Sequence, residues 1–422
     1  MQQFHANRTL LCATLAALSA ASLSCYAAAD DPLFEIRGFG SFAATRTDES
    51  TAGYRVYPQT SSKANKWAFD TDSLLGVQVD VAPKEQLSAV VQVIGRKREQ
   101  SSWDPEVEWA YVKYDFSPAW RLRVGRVLTP VFMESDYRFI GYANTFARPD
   151  NAVYSTYPLS NHDGFDLTYR TGLGSGMLAL SGYGGKASLD VPGQLTYGGD
   201  LLGVTATYEL DDPTVRFGHV KLDAKITGNN QGLKTIATNL ATASRFGCTT
   251  CVDIGQKYDR TTNGFDFSVT DIGLRYTMGE LTTWAEYAWS DNTAVLQPSE
   301  SFLLGASYNL GKWTPYVAYG NYKTKGNDKT VVTNAPGAFA ALAAVVNSSL
   351  ENQASSRNTL ALGTRYDFYK NFALKAEVSR VTLDKANANP NAFPVVPAVA
   401  AGVVVNRPQN FNLFTLAVDF VF

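Results

Sequence analysis

Residues 411–422 read FNLFTLAVDFVF, and the sequence stops there. Every second position gives Asn412, Phe414, Leu416, Val418, Phe420 and Phe422 on one face, with Thr415, Ala417 and Asp419 among those on the other. Period-two alternation marks a strand whose two faces meet different surroundings. One face is oily, and the other tolerates a charge.

The same theme recurs back to Leu33. Residues 67–81 set Phe69, Leu75, Val77, Val79 and Val81 against Asp70, Asp72, Gln78 and Asp80; after a turn at Ala82-Pro83-Lys84-Glu85, Leu87, Ala89, Val91 and Val93 alternate with Ser88 and Gln92. About sixteen strands follow, near 33–45, 66–81, 86–98, 105–116, 120–128, 162–171, 176–185, 199–210, 214–226, 262–277, 280–291, 299–310, 312–323, 355–368, 371–384 and 409–422. The least regular is 214–226, because Arg216, His219, Lys221 and Asp223 fit no single phase cleanly. Short connections such as Ser117-Pro118-Ala119 and Met278-Gly279 alternate with long irregular ones at 46–65, 129–161, 227–261, 324–354 and 385–408, so the long loops leave from one end.

An even number of alternating strands, with aromatics such as Trp67, Phe69, Tyr287, Trp289, Phe372, Phe420 and Phe422 near strand ends, reads as a transmembrane antiparallel β-barrel. In lipid every backbone polar group must be paired within the protein, so the last strand has to meet the first.

The leader agrees. Arg8 precedes an apolar stretch from Leu10 to about Leu23, and Ala27-Ala28-Ala29 stands before Asp30-Asp31, the order of a cleaved secretory signal over 1–29 with the barrel domain from 30 to 422. The apolar stretch is too short for a membrane anchor, and Ser22-Leu23-Ser24 makes Cys25 a poor lipidation site. Cys12 and Cys25 leave with the signal, so Cys248 and Cys251 remain, most simply as a disulfide after export. Net charge −2, pI 6.0 and mean hydropathy −0.15 argue against a nucleic-acid partner.

No chemistry is expected. His162 and His219 are the histidines left after processing, and no HExxH, GxSxG or P-loop spacing occurs. Gly38-Phe39-Gly40-Ser41-Phe42-Ala43 follows a strand as a dinucleotide fingerprint would, but no amphipathic helix follows it to offer its N-terminus. No metal cluster and no cofactor are read; Asp70 and Asp72 are solvated lumen carboxylates before they are cation ligands.

Strand 120–128 turns Leu122 and Val124 outward and Arg121 and Arg123 inward, since arginine facing mid-membrane lipid costs about 2–4 kcal/mol. Alternation breaks around Gly125-Arg126-Val127, the bend into the next loop. With Arg37, Arg96, Arg98, Lys113 and Arg126, these residues form an expected basic wall lining the pore. Two stretches, Ala335 to Val346 and Ala392 to Val405, are unusually apolar, as loops packing on one another above the pore or as an apolar vestibule for less polar solutes.

The terminal strand ending on Phe422, and above all residues 108–154, EWAYVKYDFSPAWRLRVGRVLTPVFMESDYRFIGYANTFARPDNAVY, resemble the trimeric porins of the Gram-negative outer membrane, where this stretch runs from the fourth strand through an inward-folded third loop. The resemblance implies a homotrimer ringed by lipid and lipopolysaccharide, a C-terminal strand read by the barrel-assembly machinery, and a constriction loop holding Glu134, Asp136 and Arg138, with Glu134 and Asp136 facing the arginines across a transverse field. The function expected is a water-filled channel for passive diffusion of small hydrophilic solutes and ions. The alternatives are a solute-specific channel for carboxylates or phosphates, and a plugged barrel acting as an adhesin, against which stands the lack of any plug-sized segment other than the third loop.

Overall fold

The computed structural model of the protein describes residues 33–422 apart from 51–52, 57–58, 60–61, 99–101, 192, 326–330, 354–355 and 384–409. The leader and the apolar stretch 392–405 therefore lie outside the described residues.

The strands are β1 (Phe34–Thr47), β2 (Leu74–Lys84), β3 (Leu87–Arg96), β4 (Glu106–Asp115), β5 (Trp120–Leu128), β6 (Asn161–Leu173), β7 (Gly176–Val191) and β8 (Leu195–Glu209). They continue with β9 (Pro213–Gly228), β10 (Phe265–Met278), β11 (Leu281–Asn292), β12 (Ser299–Tyr308), β13 (Trp313–Thr324), β14 (Ser356–Tyr369), β15 (Phe372–Leu383) and β16 (Asn410–Val421). Each pairs antiparallel with its sequence neighbours, and β1 pairs with β16, which closes a sixteen-strand barrel. Beyond the last ladder position, Gly38 and Phe422 exchange backbone hydrogen bonds of 2.8 and 2.9 Å.

The glycines of the GFGSFA stretch belong to this seam. A Cβ on Gly38 would lie 2.0 Å from the Phe422 ring, and one on Gly40 would lie 2.5 Å from the Phe420 ring. The two rings cover backbone that no side chain protects.

The outer face carries exposed Leu75, Val91, Val124, Leu202, Leu304, Leu362 and Leu416, one apolar side chain after another around the wall. That is a lipid-facing band, and exposed aromatics such as Trp120, Tyr276, Tyr308, Trp313 and Tyr369 border it at the short-turn end.

Irregularity in β9 has a physical source. Its phase never breaks: Arg216, Gly218, Val220, Leu222, Ala224 and Ile226 are buried inward, and Val215 and Phe217 are exposed outward. What changes is the surroundings of the outer face. Register places Arg126, Asp163, Lys186, Asp200, Asp223 and Asp266 in one cross-strand row over β5 to β10. Asp200 and Lys186 are 71 % and 80 % exposed, as befits strands that have left the lipid for water.

Above that row the inside is a packed core. Helices α2 (Gln231–Arg245) and α3 (Thr250–Asn263) stand where an irregular loop is expected, and a 3-10 turn at Gly337–Phe339 leads into α4 (Ala340–Gln353) within the apolar stretch 335–346. Short α1 (Asn151–Tyr154) belongs to the third loop. Leu233, Ala237 and Leu240 of α2, Ile254 and Tyr258 of α3, and Val346 and Leu350 of α4 join one buried cluster with inward Leu222, Ile226, Phe265 and Phe267. Cys248 and Cys251 are bonded in the α2–α3 turn, where Thr250 exchanges hydrogen bonds of 2.8 and 2.9 Å with the backbone of Thr333. A plug-sized segment besides the third loop is thus present, contrary to the sequence reading. Three strand readings also shift: β2 begins at Leu74 rather than 66, and β7 and β8 extend until residues 192–194 alone join them.

Candidate functional site

Residues 129–160 join β5 to β6 and turn into the barrel. The wall of β9 to β13 is hollowed to receive them. A Cβ on Gly218 would lie 2.2 Å from the Val131 carbonyl, on Gly273 2.1 Å from Met133, on Gly305 2.7 Å from the Phe146 ring, and on Gly320 2.7 Å from the Asp150 carboxylate.

Wall cations then take the loop's carbonyls. Arg216 donates to Pro130 O at 2.9 Å and Arg357 to Asn151 O at 2.7 Å. Arg365 donates to Tyr142 O and Asn144 O at 2.6 and 3.1 Å, and Lys375 donates to Gly141 O and Phe146 O at 2.7 and 2.9 Å. Lys375, fully buried, also pairs with buried Asp419 at 2.9 Å. Glu286 accepts from Met133 N at 2.8 Å. Arg148, at the loop's far end, pairs with Asp72 at 2.8 Å and Glu377 at 3.6 Å and lies over the Tyr54 ring. An irregular segment that turns away from bulk water must pair its backbone somehow, and here the barrel supplies the partners.

The expected transverse arrangement is corrected in part. Glu134 does not face Arg121 and Arg123: burial, then the Glu286 charge, push it up to about 8, and its backbone N–H donates to Tyr154 Oη at 2.7 Å. Asp136 pairs with Arg216 of β9 at 3.2 Å. The basic residues are mostly neutralised as well. Arg37 pairs with Glu35 at 2.5 Å, Arg98 with Glu106 at 3.4 Å, and Arg123 with Asp166 at 3.2 Å; Lys113 and Arg121 share Asp115 at 3.4 and 2.7 Å. Arg126 does not join the inner wall. The β4–β5 ladder runs unbroken through Gly125, whose φ of 130° absorbs the bend, so Arg126 keeps the phase of Leu122 and Val124 and pairs with Asp163 at 2.7 Å. Asp70 pairs with Lys97 at 3.0 Å, so both acids of that pair find protein cations. Among the described residues no cluster fits a metal ion.

Of the basic residues expected at the wall and in the loop, two have no such partner. Arg96 and Arg138 form no ion pair or hydrogen bond among the described residues, and their guanidinium carbons stand 4.6 and 5.1 Å from the centre of the Phe139 ring. Burial, then the neighbouring Arg96 charge, hold Arg138 down at about 10. They stand where the third loop meets the β3 wall, with the buried Glu108 carboxylate acting on Arg138 without an ion-pair contact.

A closed barrel with a lipid-facing outer band, a polar inner wall and a loop clamped inside it defines a transmembrane channel. The chain belongs to the Gram-negative porin family, whose model matches residues 13–386. It is an outer-membrane channel for passive diffusion. Among solved structures, the outer membrane channel DcaP of Acinetobacter baumannii is similar at 12% identity and TM-score 0.55, over 92% of this chain and 97% of that one. Salmonella typhi OmpF, in complex with daunomycin, matches at 13% and 0.54 over 92% and 97%. An anion-selective porin from Comamonas acidovorans matches at 11% and 0.53 over 92% and 99%. Compared with the curated proteins, the sequence matches none.

Proposed function

We propose that the passage beside the third loop carries small hydrophilic solutes with a preference for anions. The observation that supports this most directly is the pair Arg96 and Arg138, which have no carboxylate partner while their neighbours do. A fixed uncompensated charge in a narrow gap with low-dielectric walls concentrates counter-ions without holding them. The remaining inward residues of the expected basic wall, Arg37, Arg98, Lys113, Arg121 and Arg123, line the route as ion pairs and add little net field. The chain catalyses no reaction in this reading.

Residues 1–29 are removed on export through the periplasm, three chains associate in the outer membrane among lipid and lipopolysaccharide, and the strand ending at Phe422 is the segment that the assembly machinery reads. A structure titled as a trimer form, OmpT of Vibrio cholerae, supports the trimer by fold alone, at 12% identity and TM-score 0.52. The helical cap over β7 to β10 favours a second reading, a plugged barrel whose outer surface binds partners. Planar-bilayer recording of the purified protein under a KCl gradient decides between them. Steps in threes with an anion-preferring reversal potential are expected; a folded barrel without steps would leave the plugged reading.

A further inference from the structure

One acid of β4 departs from the charge pairing that serves its neighbours. In the β3–β4 ladder Gln92 faces Trp109 and Val93 faces Val107, so Glu108 is the extra residue of a β-bulge and faces no residue of β3. A bulge re-aims a side chain, and bulges gather beside functional sites for that reason. Glu108 is 3 % exposed and forms no ion pair or hydrogen bond among the described residues. A buried carboxylate without a partner in the chain is costly, and it is a ready receptor for a donor from outside.

Its neighbours are the two free arginines. The Glu108 charge acts on Arg138 without contact, and the Phe139 ring, 4.6 Å from the Arg96 guanidinium and 5.1 Å from that of Arg138, holds the two cations side by side without neutralising either. Arg96 borders two recesses of about 680 Å³ each, counted to their open mouths; it shares one with Arg138 and Phe139 and the other with Glu108. The other cations of the second recess, Arg98, Arg126 and Lys186, are taken by Glu106, Asp163 and Asp200. Two guanidiniums and one carboxylate therefore meet around Arg96 with open space, and no ion pair, between the opposite signs.

We infer that Arg96, Arg138 and Glu108 form a binding subsite for a small zwitterion, a solute of amino-acid size that carries one carboxylate and one ammonium. The carboxylate meets Arg96 and Arg138, and the ammonium meets Glu108. Such a solute satisfies all three side chains, whereas a simple anion leaves Glu108 unpaired and close to a like charge. The inference rests on the channel reading proposed above and names the solute class that the free arginines hold best.

The test is block of chloride current at pH 7 by β-alanine against sodium butyrate, whose methyl group stands where β-alanine carries its ammonium. β-Alanine is expected to block saturably at a concentration about ten-fold below butyrate, the factor that one hydrogen bond between charged groups contributes. Glu108→Gln keeps the shape and removes the charge, and is expected to erase that difference while raising the anion-to-cation ratio in KCl. Arg96→Gln is expected to weaken block by both solutes. Equal block in the wild type, a comparison that needs no variant to fold, would overturn the subsite; so would a difference that survives in Glu108→Gln. A cation-preferring reversal potential with the β-alanine preference intact would retract the anion preference and keep the subsite. Should the folded barrel show no steps, calorimetric titration in detergent makes the same comparison, and β-alanine bound no more tightly than butyrate would overturn the subsite there.

Discussion

Neutralising Arg138 should change ion preference by an amount that follows from its lack of a partner. A monovalent ion about 6 Å from one guanidinium in water gains or loses about 0.7 kcal/mol, and screening at 0.1 M salt reduces this to about 0.4 kcal/mol. An anion gains what a cation loses, so one free charge separates them by about 0.8 kcal/mol, or about four-fold in permeability ratio. Arg138→Gln and Arg96→Gln should each lower the anion-to-cation ratio about four-fold, read from the reversal potential under a KCl gradient. The double variant Arg123→Gln with Asp166→Asn removes a pair 3.2 Å apart and should leave the ratio where it was. An unmoved reversal potential in Arg138→Gln, or an equal shift in the Arg123–Asp166 double variant, would refute the reasoning.

Lys375→Met strands the Asp419 carboxylate in a dry site and should destabilise the barrel by about 3–5 kcal/mol, visible as a lower melting temperature in detergent; adding Asp419→Asn should recover most of the loss. Glu134 is held up to about 8, first by burial and next by Glu286. Folding therefore binds a proton that the unfolded chain, with its ordinary value of 4.5, has released between the two values. The stabilisation is full below pH 4.5 and declines, by at most about 1.4 kcal/mol per unit, as pH rises through 8. Wild type should melt lower at pH 8.5 than at pH 5, and Glu134→Gln should flatten that slope; parallel slopes would count against it. Replacing Cys248 and Cys251 by Ser opens a four-residue loop and should loosen the cap by about 2 kcal/mol, seen as faster proteolysis at the α2–α3 turn with an unchanged reversal potential.

Fold was legible wherever a strand keeps one environment on each face. Residues 411–422 do so from end to end, and their phase carries over directly to Asp419 inside and Phe420 outside. Strand β9 does not, because its outer face passes from lipid at Phe217 to water at Lys221, and a test for oily against polar reads that passage as disorder. The helices were readable in principle: Leu233, Ile236, Ala237, Leu240 and Ala243 recur at the spacing of one helical face. A long loop in a barrel sets the opposite expectation. Charge pairing was not readable, because the acid that neutralises Arg123 lies 43 residues away and reaches it only through the β5–β6 register. Gly218, Gly273, Gly305 and Gly320 look like weak points in strands until the third loop is laid against them.

The same ledger of charges explains why the loop's shape and its field are separable. Arg216, Arg357, Arg365 and Lys375 are spent on six loop carbonyls, so their charge is met by backbone dipoles and by Asp136, Asp367 and Asp419. Holding an irregular segment away from its preferred water contacts requires such donors, and once used they have little left to offer a solute. Arg96 and Arg138 lie on the opposite margin, where no carbonyl of the loop accepts from them. A lumen cation acts on passing ions to the extent that the fold has not already engaged it. On that principle loss of a clamp residue alters stability and pore shape together, while loss of either free arginine alters ion preference in a barrel that folds as before.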